Sequence, residues 1–175
     1  EGGRVGGVNA DGSVISGSIN AGDDWARWLN ETTAIAVSTP TARSPAAVNG
    51  DGTVLGGRTS FGALGNATRW VEGIGAGDLG TLSGGFSLAR SISVDGQVLT
   101  GLSSTGGTNR SRPFRWTPGE GMLDIGTPAG ENFAEAFTVS GDGVTVFAYG
   151  WIDSGDLSTG EYTPYLWTED GGTQD

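Results

Sequence analysis

The sequence predicts an all-β protein, a β-propeller built from four-stranded antiparallel blades. Three observations predict this fold: a turn motif that occurs four times, a tryptophan that follows each copy, and abundant glycine among alternating apolar residues. The chain has 175 residues, of which 34 are glycine. This glycine has no three-residue period, so a collagen helix is excluded, and many turns between short strands account for it. A β-solenoid is the alternative architecture.

The turn motif is an Asp-Gly pair that lies two residues after an Asn or a Ser. Successive pairs are 40, 44 and 47 residues apart. An Asp-Gly pair between apolar runs predicts a β-hairpin, because both residues tolerate a positive φ. The four pairs are Asp11-Gly12, Asp51-Gly52, Asp95-Gly96 and Asp142-Gly143.

One tryptophan follows each turn motif, and its regular position predicts a structural role. A large aromatic residue in every repeat is what packing between neighbouring sheets requires. An arginine precedes the first three of these tryptophans, but Leu166 precedes the fourth. Adjacent strand residues point to opposite faces, so we expect each arginine to pair with an acid of an adjacent strand or blade. The tryptophans are Trp28, Trp70, Trp116 and Trp167.

Each repeat contains four short apolar stretches, which predicts four strands. Four strands in a period of 40 to 50 residues are typical of a propeller blade, whereas solenoid coils are shorter. We therefore predict one domain over residues 1–175, with approximate repeats 1–43, 44–86, 87–133 and 134–175.

An acid follows three of the tryptophans at a distance of eight residues. These acids are Asp78, Asp124 and Asp175. If this acid is the first residue of the last strand, the chain stops where the last strand of the fourth repeat should begin. The pattern therefore predicts that the fourth repeat lacks this strand and that the chain belongs to a longer array. An unpaired strand edge of this kind would favour self-association.

Composition excludes several classes of chemistry and argues against others. The net charge is −11 and the chain has no lysine, which argues against binding to nucleic acid or anionic lipid. It also has no cysteine and no histidine, so disulfides, thiol catalysis, zinc–cysteine sites and Ser-His-Asp catalysis are excluded. No apolar run reaches the length of a membrane span. We expect neither a cofactor nor catalytic residues.

The repeats also resemble a known family. The segments Ala89 to Gly96, Phe114 to Thr117 and Leu79 to Gly85 are similar to the bacterial HAF extracellular repeat. The resemblance extends over essentially the whole chain and is closest in the second and third repeats. It implies a propeller-like fold and secretion or surface display, often in large autotransporter-type proteins, and it implies no catalytic residues.

Two tryptophans lie outside the repeated pattern and are candidates for ligand binding. Trp25 follows Asp24, and Trp151 lies close to Asp153. Sugars stack on aromatic rings and bond to carboxylates, although an ordinary packing role also explains these residues. Asp23, Asp24, Asp153 and Asp156 could supply a glycosidase pair, but solvated loop charges are favoured.

The Asp-Gly motifs could also be calcium loops, but each offers too few oxygen ligands. Calcium requires six to eight oxygen atoms around one ion. A turn in which Asp bonds to its own backbone is therefore favoured, and we expect no metal.

Length variation is confined to one connection in every repeat. The distance from Asp to Trp is 17, 19, 21 and 25 residues in the four repeats, so the connection between the second and third strands varies. Such loops on a rigid scaffold often carry recognition. We therefore predict a non-catalytic secreted or surface module for adhesion, display or assembly, with a glycan or protein partner. A carbohydrate-active propeller enzyme and a structural spacer are the alternatives.

Overall fold

The structure is a computed structural model that describes residues 3–19, 24–29, 33–106, 110–152 and 162–174, with residues 42–46 described by their backbone alone. The described residues form sixteen strands in four sheets, which we call blades 1 to 4. Blade 1 contains β1 (Arg4–Val8), β2 (Val14–Ile19), β3 (Asp24–Leu29) and β4 (Thr33–Val37). Blade 2 contains β5 (Ala42–Val48), β6 (Val54–Thr59), β7 (Asn66–Val71) and β8 (Gly75–Asp78). Blade 3 contains β9 (Ser87–Ile92), β10 (Leu99–Ser104), β11 (Ser111–Thr117) and β12 (Gly121–Asp124). Blade 4 contains β13 (Phe133–Val139), β14 (Thr145–Trp151), β15 (Thr163–Thr168) and β16 (Gly172–Gln174).

The strands of each blade pair in chain order, and every pairing is antiparallel. Consecutive blades pack together, with the first strand of each blade against the first strand of the next. This arrangement confirms the prediction of four-stranded antiparallel blades. It excludes the solenoid, whose neighbouring strands are parallel. None of the described residues forms a helix long and apolar enough to cross a membrane.

The Asp-Gly motif forms the turn between the first two strands of each blade, but its geometry differs from the prediction. The glycine has a φ between +71° and +78° in all four copies, whereas the Asp has a negative φ. In blade 2, the Asp51 carboxylate accepts hydrogen bonds from the backbone N–H of Thr53 at 3.0 Å and from its hydroxyl at 2.6 Å. These bonds hold the pKa of Asp51 below its usual value. The Asp therefore stabilises the turn through the hydrogen bonds of its side chain, and only the glycine of the pair adopts the left-handed backbone conformation.

The predicted absence of the last strand in the fourth repeat is wrong. Strands β8 and β12 end at Asp78 and Asp124 instead of beginning there. The Asp78 carboxylate accepts a hydrogen bond of 2.8 Å from the N–H of Gly80, which has a φ of +76°. This bond turns the chain away from the sheet, so the acid marks the end of the strand. Blade 4 accordingly contains its last strand, β16, while Asp175 lies outside the described residues.

The hydrophobic core lies between consecutive blades. Between blades 1 and 2, for example, Trp25 and Val37 pack with Leu55 and Trp70. Two further clusters fill the spaces between blades 2 and 3 and between blades 3 and 4. Each blade therefore depends on its neighbour to bury one of its faces.

Candidate functional site

Each blade has two faces, which we name by the neighbour that they meet. Residues directly opposite each other in an antiparallel pair lie on one face. The backward face carries the repeat tryptophan opposite a residue of the second strand, and in blades 2 to 4 it meets the preceding blade. These pairs are Ile15–Trp28, Leu55–Trp70, Leu99–Trp116 and Val146–Trp167. The forward face carries the residue before the tryptophan, and in blades 1 to 3 it meets the following blade. Its pairs are Ser16–Arg27, Gly56–Arg69, Thr100–Arg115 and Phe147–Leu166.

The forward arginine of blade 1 binds the turn and the tryptophan of blade 2. The Arg27 guanidinium donates a hydrogen bond of 2.8 Å to the carbonyl of Gly52 and lies 5.0 Å from the centre of the Trp70 ring. It also forms an ion pair with Glu72, as expected for an acid of an adjacent blade. Arg27 is buried and its bond to Gly52 is shielded from water, whereas the Glu72 side chain of the ion pair is half-exposed.

The same contact recurs between blades 2 and 3. The Arg69 guanidinium donates two hydrogen bonds, of 3.1 and 2.9 Å, to the carbonyl of Gly96 and lies 5.9 Å from the centre of the Trp116 ring. Between blades 3 and 4, the contact of Arg115 is an ion pair of 3.7 Å with Glu169. An arginine thus crosses each of the three interfaces.

Small and branched residues complete these interfaces. Ser16, Gly56 and Thr100 are fully buried or enclosed at the forward position opposite the arginine. A Cβ atom on Gly56 would lie 3.0 Å from Cδ2 of Leu99 in blade 3. This position therefore requires a small side chain.

A valine of the forward face packs on the turn glycine of the next blade. A Cβ atom on Gly52 would lie 2.5 Å from Cγ2 of Val14. Val54 is placed in the same way on Gly96, and Val98 on Gly143. The turn glycine is therefore needed both for its φ and for the approach of the neighbouring blade.

The forward face of blade 4 departs from this pattern at all three positions. Thr145 replaces the valine, Phe147 replaces the small residue and Leu166 replaces the arginine. Phe147 and Leu166 are 37% and 45% exposed. No described blade covers this face, and its side chains do not match those of the three faces that are covered.

An aromatic patch occupies this face. The Trp151 ring is stacked on the Phe133 ring at 5.4 Å and on the Tyr149 ring at 5.9 Å. Tyr149 also contacts Phe137 and Tyr162, which are 54% and 65% exposed. We define the aromatic patch as Phe133, Phe137, Phe147, Tyr149, Trp151 and Tyr162.

A pocket opens on this patch, and polar groups lie beside it. The pocket has a volume of about 390 Å³ and is lined by Tyr149, Tyr162 and Pro164. The Tyr149 hydroxyl donates a hydrogen bond of 3.0 Å to the Glu135 carboxylate, which also pairs with Arg90 at 2.9 Å. Burial and the charge of Glu135 raise the pKa of Tyr149. The patch therefore combines apolar rings with a fixed, neutralised polar group, which is suited to binding a neutral amphipathic ligand.

The structure separates the residues predicted to bind a ligand. Trp25 is fully buried between blades 1 and 2, so its predicted role in ligand stacking is wrong, because no ligand can reach the ring. Asp24 is half-buried at the start of β3 in the same blade. Trp151 lies in the aromatic patch of blade 4, and Asp153 lies outside the described residues.

Sequence reasoning missed most of the aromatic patch. Phe147, Tyr149 and Trp151 alternate along β14, a period-two pattern that places all three on one face. That pattern was visible in the sequence.

In the described part of the chain, no group of three His, Cys, Asp or Glu side chains comes together as a metal site.

No protein-family model and no curated protein sequence matches the chain. Among solved structures, it is similar to TolB from Acinetobacter baumannii, with a TM-score of 0.64 and 17% identity over 98% of this chain and 41% of that protein. It is also similar to a protein described as TolB from Agrobacterium tumefaciens, with a TM-score of 0.68 and 18% identity over 96% of this chain and 62% of that protein. The chain thus spans less than two thirds of the length of either protein, and what it shares with them is the β-propeller fold.

Proposed function

We propose that this chain is a non-catalytic β-propeller module of a secreted or surface protein and that it serves adhesion, display or assembly through the aromatic patch of blade 4. The resemblance of its repeats to the HAF extracellular repeat supports this location. The observation that carries the proposal is the patch itself, since five aromatic side chains are in ring contact, and Phe147 shares their sheet face, which no described blade covers.

The composition of the patch favours a glycan as its ligand. Aromatic rings bind the apolar face of a sugar, and hydroxyl groups of the sugar can bond to a neighbouring carboxylate. Tyr162 offers the most exposed ring, and Glu135 already accepts a hydrogen bond from the Tyr149 hydroxyl. A contiguous exposed apolar patch of this kind marks a binding surface more often than an isolated exposed side chain does.

A panel of immobilised bacterial and host glycans tests the proposal. We expect the chain to be retained on at least one glycan, and Tyr162→Ala together with Phe137→Ala to weaken retention at least tenfold. The matched control is Ile74→Ala, because Ile74 is an exposed apolar residue of blade 2 outside the patch. Equal retention of both variants would contradict the assignment of the patch.

The same panel separates the two alternative functions. Release of reducing ends from a soluble glycan would identify a carbohydrate-active enzyme. Neither retention nor release on any glycan or protein surface would favour a structural spacer and would overturn the proposal.

A further inference from the structure

The chain contains five Asp-Gly pairs, and four of them form the turns between the first two strands of the blades. The fifth, Asp170-Gly171, lies in the turn between β15 and β16. An Asp before a glycine readily closes a succinimide ring, because glycine has no Cβ atom to hinder attack by its backbone nitrogen. The ring closes only when the carboxyl carbon can swing onto that nitrogen. The hydrogen bonds of each pair therefore decide whether it reacts.

In the four repeat turns, hydrogen bonds hold both reacting groups. Each carboxylate accepts the backbone N–H two residues ahead at 2.9–3.1 Å and a Ser or Thr hydroxyl at 2.5–2.6 Å. Each glycine N–H donates to the backbone carbonyl three residues earlier at 2.9–3.2 Å. The bonds to the carboxylates also lower their pKa. This favours the ionised form, whereas ring closure requires the carboxylic acid, whose hydroxyl leaves as water.

The fold also holds the one Asn-Gly pair of the chain, which forms the same ring by loss of ammonia. Asn49 is buried, and its Oδ1 accepts a hydrogen bond of 2.9 Å from the N–H of Val54. The Gly50 N–H donates to the carbonyl of Val94 in blade 3, also at 2.9 Å. This pair is therefore protected, although its sequence is the more reactive of the two types.

The turn at Asp170-Gly171 lacks this protection. Asp170 is exposed, and no described residue donates a hydrogen bond to its carboxylate or forms an ion pair with it. The Gly171 N–H donates to the Thr168 hydroxyl at 3.0 Å, and this hydroxyl can rotate away, unlike a backbone carbonyl of a closed turn. The Asp170 carboxyl group is therefore free to turn onto the Gly171 nitrogen.

The exposure of this turn is a property of the repeat. In blades 2 and 3, which both have a following blade, the residues of the corresponding turn are exposed as well. Gly73 and Gly119 lie three residues after the repeat tryptophan, as Asp170 does, and a Cβ atom on either would meet nothing within 4 Å. The middle of this turn therefore projects beyond the neighbouring blades, and a blade beside blade 4 would leave Asp170 accessible.

We infer that Asp170 is a modification site at which the folded protein converts aspartate to isoaspartate, with water as the only co-reactant. The Gly171 nitrogen attacks Cγ of the Asp170 carboxylic acid, an N–Cγ bond forms, and the carboxyl hydroxyl leaves as water with the amide proton. Water then opens the succinimide. Cleavage of the bond from the nitrogen to the α-carbonyl carbon gives isoaspartate with a free α-carboxylate, and cleavage of the N–Cγ bond restores aspartate. No electrons are transferred.

Isoaspartate adds one carbon atom to the main chain of this turn. Thr168 and Gly172, which flank the turn, are paired, and β16 has only two further pairs with β15. The longer turn disturbs this register, so we expect the modified chain to hold β16 less firmly. Thr173 of β16 lies opposite Trp167, a residue of the core between blades 3 and 4. The inference does not depend on the proposed function.

Site-resolved labelling of the wild-type chain tests the inference. In heavy-oxygen water, every succinimide hydrolysis leaves a label on the residue, and mass spectrometry of chymotryptic peptides locates it. We expect label to enter at Asp170 at least tenfold faster than at the Asp residues of the four repeat turns. Once urea has unfolded the chain, the five rates should become similar. Equal rates in the folded chain, or a tenfold lead of Asp170 that persists in urea, would overturn the inference.

A matched pair of variants separates the turn geometry from the chemistry of the dipeptide. Asp170→Asn and Asp51→Asn each create an Asn-Gly pair, so the two sites have the same intrinsic reactivity. Deamidation should be at least tenfold faster in Asp170→Asn, because the N–H of Thr53 can still hold the amide oxygen at position 51. Equal rates in the two folded variants would contradict the role of the turn.

The product is identified in the aged wild-type chain. The labelled Asp170 peptide should accept methyl groups from S-adenosylmethionine in the presence of an isoaspartyl methyltransferase, which recognises the free α-carboxylate. In the modified fraction, amide hydrogen exchange over Gly172–Gln174 should be at least threefold faster than in the unmodified chain. A labelled peptide without isoaspartate would overturn the inference, and unchanged exchange would contradict the effect on β16.

Discussion

The forward faces of blades 2 and 4 are built from the same strand positions but have different environments. In blade 2 the pair Gly56–Arg69 is covered by blade 3, and the arginine reaches the turn carbonyl of Gly96. In blade 4 the pair Phe147–Leu166 is exposed and continues into the aromatic patch. The strand scaffold is therefore constant, while the side chains at one cross-strand pair differ between the face that blade 3 covers and the face that no described blade covers.

The same contrast applies to the repeat tryptophans. Trp70 is 7% exposed, because blade 1 covers the backward face of blade 2. Trp28 occupies the same repeat position but is only partly buried, because no described blade covers its side of blade 1. The neighbouring blade thus contributes to the burial of Trp70, although Trp116 is also only partly buried with Arg69 of blade 2 against its ring.

The largest expected effect is that of Trp70→Ala. Removal of this ring leaves a cavity between blades 1 and 2 and takes away the surface on which Arg27 lies. The free energy of unfolding should therefore fall by about 3–5 kcal/mol. Trp28→Ala is the matched control and should cost less than half as much. Chemical denaturation of both variants measures the difference, and equal losses would contradict the role of the neighbouring blade.

Gly56→Phe should give the next largest effect, because it places the side chain of the blade 4 face into a covered interface. The new ring would conflict with Leu99, whose Cδ2 would lie only 3.0 Å from the Cβ atom of the new side chain. We expect a loss of about 3 kcal/mol, at the upper end for overpacking. Thermal melts of this variant and of Phe147→Ser test the expectation. Phe147→Ser, in the uncovered face of blade 4, should lower the free energy of unfolding by less than about 1 kcal/mol. A Gly56→Phe variant as stable as the wild type would show that the small residue is not required.

Arg69→Ala should have an intermediate effect. It removes two hydrogen bonds to the Gly96 carbonyl and the contact with the Trp116 ring, which together predict a loss of about 1.5–3 kcal/mol. Arg69→Lys should recover only part of this loss, because one ammonium group cannot both bond the carbonyl and stack on the ring. Leu166→Ala, the control in blade 4, should change the stability by at most about 0.5 kcal/mol. Urea unfolding would decide, and complete rescue by lysine would contradict the stacked geometry.

The turn carboxylates should make stability weakly dependent on pH. Hydrogen bonds from Thr53 lower the pKa of Asp51 below the usual value of 3.8. A lowered pKa in the folded state means that the ionised form stabilises the fold above about pH 4, and that this contribution is lost as the pH falls through the folded pKa. In the Asp51→Asn variant, the melting temperature should therefore fall less than in the wild type when the pH is lowered from about 5 to about 2. An unchanged pH profile in this variant would show that the carboxylate does not stabilise the turn.

Calcium should produce the smallest effect. Each turn carboxylate already accepts hydrogen bonds within its own turn, as Asp142 does from Ser140 and Val144, and one Asp per loop is far from the six to eight oxygen ligands that calcium requires. Addition of about 5 mM calcium or of a chelator should leave the melting temperature within about 1 °C, the shift expected when no ligand binds the folded state. A rise of several degrees would reverse the interpretation of these turns.

The sequence by itself determined the elements that local chemistry controls. The Asp-Gly pairs predicted the four hairpins, because glycine at a positive φ and a carboxylate bonded two residues ahead act within a few residues of the chain. The strict position of the repeat tryptophans and the preceding arginines predicted two opposed strand faces, because side chains alternate along a strand. The strand end at Asp78 was misinterpreted, although the bond from Gly80 that ends the strand also spans only two residues.

Only the tertiary structure decided which of these faces are covered. Trp25 departs from the repeat pattern and yet is fully buried, because Leu55 and Trp70 of blade 2 lie against it. Phe147 follows the strand pattern and yet is exposed, because no described blade lies on that side. Burial is a property of the contact between blades, such as that of Arg27 with Glu72, which lie 45 residues apart in the chain. No local sequence pattern contains such a contact between blades. The presence or absence of this contact distinguishes the arginine-lined interfaces from the aromatic patch.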